Sequence, residues 1–490
     1  ESGKVEGNND IYITKCSFEN CEAEVSGGAI YIYEGSEEGG ESSDIINCQF
    51  TNCKPSIGCA IYSASNELNL EDCNFNGFTQ FDFADLEVLI YIKAQKKQKI
   101  VRCKFESNFP TVFATTKDSA DKAVITFEEC TFSKIELKES KESKGVKKGV
   151  VDISLIKNAV LYLEKCNFTD NTGSCILANT GICETHVTEC RFENNKGVQG
   201  CAIYVSNDLN SDDQLYIEDC QFISNTVEAK SKGRASGVVY ISSKSAQFTG
   251  KNVFEGNKAE HYFDSYVKDE NNDCAYGGSI FIEQYNTEDY FVSNLEITNS
   301  YSKHIGGAIG VFAGDYNGGE NAPQDLFIIF ENCKFTNCHS GQQGGAIKCG
   351  IGIKNGAKNN DIKVSYCEFS QCYSEYGGCL FIADGTKDGD EETIIEYCHF
   401  NGHVDDFEGK MITRGTSVYC RSYKFELSHS TFENHNSPNA ESDISMIQID
   451  MNEDGLTPKI ENCTFYNNEQ FIEFTSGAGL SRKTGSTINF

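Results

Sequence analysis

One short pattern recurs along the whole chain and limits the folds that the chain can adopt. Residues 16 to 35 read CSFENCEAEVSGGAIYIYEG, residues 48 to 63 read CQFTNCKPSIGCAIYS, and residues 367 to 382 read CEFSQCYSEYGGCLFI. Cys-x-Phe occurs twelve times, and three further segments keep the same frame without the cysteine. The fifteen copies lie 24 to 43 residues apart. Such spacings are typical of repeat proteins, in which each unit packs against its neighbours.

Each repeat shows the alternation of short β-strands. In IYITKCSF, Ile11 and Ile13 share one face, and Cys16 and Phe18 also share one face. The step from Ile13 to Cys16 is three residues, so the alternation changes phase at Thr14-Lys15. A period of two predicts strands, and the change of phase predicts a bend between them.

A third strand follows. Phe-x-x-Asn recurs, with Asn195, Asn225 and Asn257 as examples of its last position. Because Asn bonds to nearby backbone and tolerates left-handed conformations, we expect it to close a turn. A Gly-rich start such as GGAIYI, at residue 27, comes next. There Gly permits the turn geometry and the close approach of stacked backbone above and below.

Three short strands per repeat and no helical periodicity predict an all-β parallel β-helix in which each repeat is one coil. A propeller would need four strands per blade, and a leucine-rich array would need its own consensus. At about 4.8 Å per coil, the coils would form one domain, 1–490, roughly 70 Å long. The phenylalanines predicted to point inward and stack are Phe18, Phe50, Phe105, Phe168, Phe192, Phe222, Phe335, Phe369 and Phe465.

The variable lengths of the repeats indicate where a ligand would bind. Insertions fall between the Gly-rich strand and the next strand, at residues 134–149, 266–275, 312–326 and 383–393. Loops on one side of a solenoid usually form its variable, often binding, face.

The charge of the chain argues against two classes of partner. A net charge of −31 repels nucleic acid and anionic membrane surfaces. The sequence contains no run of 18 apolar residues that could span a bilayer as a helix. It begins ESGKVEGNND, without Met or an apolar stretch, so we interpret it as a processed chain or as a piece of a longer one.

The 24 cysteines favour an extracellular or cell-surface location. No CxxC pair of the kind that binds zinc occurs. Stacked coils would bring equivalent positions within disulfide range, and turn positions leave the side chains freer than strand positions. Cys21–Cys53 and Cys338–Cys372 are therefore the predicted disulfides, and the Cys-x-Phe cysteines are interpreted as reduced, buried fillers. The alternative is a reduced intracellular chain whose cysteines are all small buried hydrophobes.

Two Asn-x-Ser/Thr acceptors, Asn167 and Asn462, support a secretory route and are candidate glycosylation sites.

The pairing of GGAI with Phe-x-x-Asn resembles the repeat of chlamydial polymorphic membrane proteins and of similar surface proteins in some protists. The resemblance covers nearly the whole chain, with GGAI clear in about half of the coils. It implies a right-handed β-helix of the pectin-lyase-like kind, a cell-surface location and an adhesive role. Two features depart from the family: no C-terminal membrane barrel follows, and cysteine replaces Asn at positions such as Cys21 and Cys372.

The main alternative function is a polysaccharide lyase or glycoside hydrolase on the same kind of β-helix. Polygalacturonase-like sites carry NTD, DD, GHG and RIK on consecutive coils, and the sequence has no NTD, GHG or RIK. Its acidic pairs Asp212-Asp213 and Asp405-Asp406 read as solvated loop residues. Trp, the best platform for sugar rings, is absent.

Two further groups could bind a metal, but each has a simpler interpretation. Asp384 to Glu392 could offer oxygen ligands to calcium, yet the segment lacks the full spacing of an EF-hand. His403 and His435 end Phe-x-x-Asn-like motifs in neighbouring coils, where they read as turn residues that replace Asn. We therefore predict no catalytic residue, no metal site and no cofactor.

The sequence thus predicts an extracellular structural or adhesive β-helical rod without catalysis. Its expected partners are host or matrix glycans or proteins, or further copies of itself. The chain starts and stops at about the same phase of its repeat. This favours a window cut from a longer rod, or molecules that stack end to end into a filament.

Overall fold

The structure is a computed structural model. The described residues are 10–23, 26–32, 42–53, 58–78, 88–94, 96–107, 111–116, 122–137, 149–155, 159–179, 183–206, 214–229, 234–243, 245–261, 274–284, 290–313, 325–350, 359–382, 392–402, 415–421, 424–435, 445–451, 458–468 and 471–476.

The chain divides into two compact units. The first unit is Glu1–Gly197 with Cys201–Gln221, and the second unit is Val198–Gly200 with Phe222–Phe490. In both units the described residues form strands and turns without a helix. The expectation of a single domain over 1–490 stays a prediction.

The first unit contains three parallel sheets, and each coil contributes one strand to each sheet. The first sheet consists of Ile11–Thr14, Ser42–Ile46, Glu67–Glu71, Lys97–Val101, Ala123–Glu128, Ala159–Glu164, Cys183–Thr188 and Gln214–Glu218. The second sheet consists of Ser17–Glu19, Gln49–Thr51, Asn74–Phe78, Lys104–Ser107, Thr131–Ser133, Asn167–Thr169 and Arg191–Glu193. The third sheet consists of Ile30–Ile32, Ile61–Ser63, Ile90–Ala94, Val112–Thr116, Gly149–Leu155, Ser174–Asn179 and Ile203–Ser206. Lys196–Gly197 is a further short strand, and Gln221–Ile223 lies at the boundary between the units.

The second unit repeats the arrangement. Its first sheet consists of Ser245–Thr249, Tyr290–Ser293, Asp325–Glu331, Asn359–Ser365, Glu392–Glu396, Lys424–Ser428 and Lys459–Glu461. Its second sheet consists of Asn252–Glu255, Leu295–Thr298, Lys334–Thr336, Glu368–Ser370, His399–Asn401, Thr431–Glu433 and Thr464–Tyr466. Its third sheet consists of Val239–Ser242, Ile280–Gln284, Ile309–Ala313, Ile347–Cys349, Leu380–Ile382, Val418–Cys420, Ser445–Met451 and Phe471–Ser476. Shorter strands are Thr226–Ala229, Ala235–Ser236, Lys258–His261, Ala275–Tyr276, Tyr301–Ser302 and His339–Ser340.

This is the predicted parallel β-helix, with one repeat per coil. The described first-sheet strands number eight in the first unit and seven in the second, which agrees with the fifteen repeats counted in the sequence. Neighbouring coils pair in register, so that Ile13 lies beside Ile45 and Ile45 beside Leu70. In-register stacking places like residues over like, and it closes the backbone hydrogen bonds between coils.

The predicted bend between the first two strands is confirmed. Lys15 has a φ of 54° and stands where the alternation changes phase. A single left-handed residue reverses the side-chain phase and turns the chain, and most coils have one at this corner. Asn, whose short polar side chain tolerates this conformation, occupies it at Asn47, Asn294 and Asn332.

The prediction that the Asn of Phe-x-x-Asn bonds to backbone and closes a turn is half right. The side chains of Asn195 and Asn257 do donate through Nδ2 to backbone carbonyl oxygens, but Asn195, Asn225 and Asn257 are fully buried and do not have a positive φ. The left-handed residue is the one before, as at Asn194 with a φ of 56°. The motif therefore has a left-handed corner residue followed by an inward-pointing amide.

The two glycines of the GGxI motif have different roles, and both were expected. The first is left-handed, with a φ of 65° at Gly344. The second meets the next coil: a Cβ on Gly345 would stand 2.1 Å from the carbonyl oxygen of Gly378. A Cβ on Gly307 would stand 2.0 Å from that of Gly345. Coils can stack at this corner only because side chains are missing there.

The phenylalanines of the second sheet form the predicted inner column. In the first unit the rings of neighbouring coils, from Phe18 to Phe192, stack with centroids 4.6 to 5.0 Å apart. In the second unit the stacked pairs are 4.4 to 5.2 Å apart. Phe18 and Phe465 are half-buried, and the other phenylalanines predicted to point inward are buried.

Candidate functional site

Several residues that the sequence singled out lie outside the described residues. These are Asp212, Asp213, Asp405, Asp406, His403 and Asp384 to Glu391, together with most of the four insertions. The acidic-pair, calcium and loop-binding hypotheses therefore stay predictions. Asn167 and Asn462 lie at exposed positions, and their glycosylation also stays a prediction.

The amides at the end of Phe-x-x-Asn form a buried polar column. The Asn171 side chain donates through Nδ2 to the carbonyl oxygen of Phe132 at 3.1 Å and to Oδ1 of Asn195 at 3.0 Å. The backbone N–H of Asn171 also donates to Asn195 Oδ1 at 3.0 Å. Each amide thus satisfies the backbone of a corner that is closed to water, where an unpaired group would cost about 1–3 kcal/mol.

The cysteines that replace Asn in this motif take over its hydrogen bond. Cys372 donates through Sγ to the carbonyl oxygen of Phe335 at 3.7 Å, and Cys338 donates to that of Ile297 at 3.5 Å. Cys53 donates to Phe18 in the same way at 3.8 Å. The structure describes Cys21, Cys53, Cys338 and Cys372 as thiols, and the disulfides Cys21–Cys53 and Cys338–Cys372 stay predictions.

The Cys-x-Phe thiols form a second buried column. Cys73 Sγ lies 3.3 Å from the carbonyl oxygen of Ile45, one coil away, and 3.4 Å from that of Glu71, and its single S–H can donate to either. Cys190 and Cys220 have the same arrangement with their own neighbours. A thiol here fills space and donates to one of two carbonyl groups within reach, which agrees with its interpretation as a buried filler.

His435 replaces the Asn of the motif inside the second unit, as the sequence predicted. Its ring is buried, Nε2 lies 3.3 Å from the carbonyl oxygen of Phe400, and Nδ1 lies 3.0 Å from the Ser417 hydroxyl. Gly402 leaves room for the ring, because a Cβ there would lie 2.2 Å from Nδ1. Burial lowers the pKa of His435 to about 4, so the imidazole is neutral near pH 7 and replaces the amide as a hydrogen-bonding group.

The outer face of the first sheet in the first unit offers the best surface for a ligand. One outward position repeats from coil to coil in register, and we call its residues the polar row. The polar row consists of Tyr12, Asp44, Asn69, Lys99, Thr126, Tyr162, His186 and Tyr216. Every member has a hydrogen-bonding group, and Tyr12 and Tyr162 are 69% and 39% exposed.

The rings at one end of the polar row stack on one another. Tyr162 and His186 have centroids 4.7 Å apart, and His186 and Tyr216 have centroids 4.5 Å apart. Because the ring faces are turned towards each other, the stack presents mainly ring edges and hydroxyl groups outward. Glu184 accepts from His186 at 3.4 Å, and Lys122 beside Glu184 lowers the pKa of that carboxyl group.

A shallow cavity of about 310 Å³ lies across the other end of the polar row. It is lined by charges of both signs, among them Asp44, Glu67, Lys97 and Lys99. Arg102 binds Asp72 through Nε at 2.8 Å and also binds Glu71, and the pKa of Asp72 is lowered by this hydrogen bond. The cavity can therefore offer donors and acceptors to a ligand without a strong net charge.

The matching face of the second unit has a different character. Its equivalent row consists of Gln247, Phe291, Ile329, Lys363, Ile394, Glu426 and Lys459. Apolar side chains take three of these seven positions, and Phe291 is 46% exposed. The continuous run of hydrogen-bonding groups is thus a feature of the first unit.

Sequence reasoning missed the polar row, because each of its residues alone is an ordinary solvent-facing residue of a strand. The signal was available, since every member stands two residues before the last residue of a first-sheet strand.

Among the described residues no helix is long and apolar enough to cross a membrane. No group of three or more His, Cys, Asp or Glu side chains in the described residues could hold a metal ion.

Comparison with known proteins identifies the fold. A family model described as a right-handed β-helix region matches residues 4–150 and 88–272. No curated protein sequence matches the chain significantly. Among solved structures, a mutant tailspike protein of E. coli bacteriophage HK620, in complex with a pentasaccharide, aligns with a TM-score of 0.29 at 12% identity. That alignment covers 91% of this chain and 74% of the tailspike chain, and a similarity this low says nothing about function.

Proposed function

Because the chain belongs to the right-handed β-helix family, we propose that it is an extracellular adhesive protein that binds glycan chains along the polar row of its first unit. The observation that carries the proposal is the regular, in-register row of hydrogen-bonding side chains, with one residue per coil. A linear polymer of hydroxyl-bearing units presents donors and acceptors at regular intervals. A row with one donor or acceptor per coil can bind such a polymer at several units at once, which multiplies weak contacts.

The chemistry of the row favours an uncharged glycan. Carboxylates such as Glu67, Glu71 and Glu128 line the cavity beside Lys97 and Lys99, and the net charge of the chain is −31. An acidic polysaccharide would meet repulsion from this field. A neutral glycan can use the same side chains as hydrogen-bond donors and acceptors.

An adhesive, non-catalytic role is supported by two of the carboxyl groups near the polar row. Hydrolysis of a glycosidic bond requires a pair of carboxyl groups, one of them an acid with a raised pKa. Asp72 and Glu184 both have a lowered pKa, because each is held by a cation.

The extracellular location rests on the resemblance to polymorphic membrane proteins and on the acceptors Asn167 and Asn462. Surface labelling of intact cells that produce the protein tests it.

A glycan array followed by calorimetry with the best ligand tests the proposal. Tyr162→Ala and Asn69→Ala should each weaken binding roughly five- to tenfold, the effect of one lost hydrogen bond or ring contact. Phe291→Ala, on the matching face of the second unit, is the control and should leave affinity unchanged. Equal loss in Phe291→Ala, or no glycan bound at all, would contradict the proposal. Release of shorter products from the ligand would show an enzyme instead.

A further inference from the structure

Two exposed tyrosines occupy the same corner position in neighbouring coils of the second unit. Tyr366 is 54% exposed and Tyr397 is 45% exposed. Each stands at the bend between the first and second sheets, and each has a φ of 53°. A bulky side chain is disfavoured in this left-handed conformation, which Asn294 and Asn332 adopt at the same corner with less strain. Strain of this kind is concentrated at functional sites.

The rings of the two tyrosines are stacked. Their centroids lie 4.9 Å apart and their planes are within 3° of parallel. The backbone N–H of Tyr366 donates to the carbonyl oxygen of Glu396 at 3.2 Å, and that of Tyr397 donates to Ser428 at 3.1 Å. The next coil therefore fixes each corner. Because the rings are parallel and leave equivalent positions, their hydroxyl-bearing ends lie side by side.

This column of corner residues places two phenols together and no third. Tyr397 also stacks on His429, with centroids 4.7 Å apart. The coil before Tyr366 has Asn332 at this corner, since Glu331 pairs with Ser365. An imidazole is harder to oxidise to a radical than a phenol, and an amide has no ring. A one-electron oxidant thus meets a single pair of adjacent phenols here.

We propose that Tyr366 and Tyr397 are a site of oxidative cross-linking, at which their rings join as dityrosine when hydrogen peroxide oxidises them through a haem peroxidase. Each phenol loses one electron and its hydroxyl proton, which leaves a radical shared between the oxygen and the ortho carbons. An ortho carbon of one ring bonds to an ortho carbon of the other. The hydrogen on each bonded carbon then moves to the phenol oxygen and restores the aromatic ring. Two phenols and one peroxide give one biphenol and two molecules of water, so atoms and electrons balance.

The geometry favours coupling inside one chain. A peroxidase takes electrons from phenols that it can reach, and about half of each tyrosine is exposed. Radicals on separate chains must meet by diffusion, whereas these rings are held 4.9 Å apart, which raises their effective concentration. The bond would join two successive coils covalently. It does not depend on glycan binding, so it can be tested separately from the proposed function.

Treatment of the intact protein with hydrogen peroxide and a haem peroxidase tests the proposal. After digestion, mass spectrometry should find the Tyr366 peptide joined to the Tyr397 peptide with the loss of two hydrogens. Dityrosine fluorescence alone would not assign the bond, because Tyr31 and Tyr62 also stack, at 4.8 Å, in the first unit.

Tyr466 is the control, since it is 67% exposed and pairs in register with Glu433 rather than with a tyrosine. The Tyr366–Tyr397 product should exceed any cross-link that contains Tyr466 by a factor on the order of 10 or more. A yield no greater than that of the Tyr466 products would overturn the proposal. A product that forms only as the protein concentration rises would come from contact between molecules and would overturn it too.

Two variants separate coupling from simple packing of the rings. Tyr366→Phe keeps a ring in the stack but removes its hydroxyl group, so it should keep the circular dichroism spectrum and lose this cross-link. Tyr466→Phe should keep both the spectrum and the cross-link. If the peptide of residue 366 is still joined to the Tyr397 peptide at the wild-type yield in Tyr366→Phe, the bond is not dityrosine and the proposal is wrong.

Discussion

Single residues matter most where two coils touch through backbone alone. Gly345→Ala would place a Cβ 2.1 Å from the carbonyl oxygen of Gly378 and 2.5 Å from that of Tyr373. Neither oxygen can move without breaking the stacking of coils. We expect the substitution to lower the free energy of unfolding by about 1–3 kcal/mol or more. Urea denaturation of the variant and the wild type measures the difference.

Gly256→Ala is the matched control for Gly345→Ala. Its φ is +64°, and the closest atom to a new Cβ would be Ser224 Oγ at 3.5 Å. Its cost should therefore be the left-handed conformation alone, about 1–2 kcal/mol. If Gly345→Ala costs less than Gly256→Ala, close coil contact is not what selects the second glycine of the GGxI motif.

His435 should make stability depend on pH. Its pKa is about 4 in the folded chain and 6.5 in an unfolded one. Between these values the unfolded chain binds a proton that the folded chain does not, so stability is full above pH 6.5 and is lost as the pH falls towards 4. The loss should be roughly 3 kcal/mol in all.

His435→Asn restores the usual residue of the motif and isolates this effect. Urea midpoints at a series of pH values should show a shallower fall for the variant than for the wild type between pH 6.5 and 4. Other titrating groups act on both proteins and cancel in the difference. Parallel curves would mean that His435 is protonated in the folded chain or reaches water there.

At the scale of the strand, the stability lost when a phenylalanine is removed from the inner column should depend on how deeply that residue is buried. Phe105 is buried and stacks on Phe75 at 4.9 Å and on Phe132 at 4.9 Å. Phe105→Ala should cost about 3–5 kcal/mol. Phe18 is half-buried and stacks on Phe50, so Phe18→Ala should cost clearly less. Equal losses in chemical denaturation of the two variants would contradict this reading of the column.

The strands and corners were predictable because each leaves a strong local mark. The alternation in IYITKCSF and its change of phase predict two strands and the bend, and Lys15 is left-handed as that pattern requires. The conformation of Asn195 was not predictable, since an amide can either form a corner or satisfy one from inside. Only the register between coils, which brings Asn195 within 3.0 Å of Asn171, decides between these roles.

At the scale of the whole molecule, the sequence predicts coils but not the use of their outer faces. The polar row from Tyr12 to Tyr216 exists only because strands far apart in the chain stack in register. In the sequence these residues share a fixed position, four residues before the cysteine of Cys-x-Phe, but they form a row only when the coils stack. The pair of Tyr366 and Tyr397 is similar, because the sequence shows each as a single tyrosine before the cysteine of Cys-x-Phe. Function on a repeat fold therefore depends on the register, which the spacing of repeats alone does not define.

The cysteines allow a test that covers the whole chain at once. Alkylation requires the thiolate, and burial raises the pKa of Cys53 to about 11. Cys16 is exposed and Cys21 is half-buried, so iodoacetamide at neutral pH should label these two first and the buried columns only after unfolding.

Intact mass after denaturation without reductant then counts the thiols. The chain has 24 cysteines, so 24 labels mean that all are thiols, whereas the disulfides Cys21–Cys53 and Cys338–Cys372 would remove four and leave 20. In that case Cys21 would also resist labelling in the folded protein while Cys16 still reacts, and a count of 24 from protein kept under oxidising conditions would rule both disulfides out.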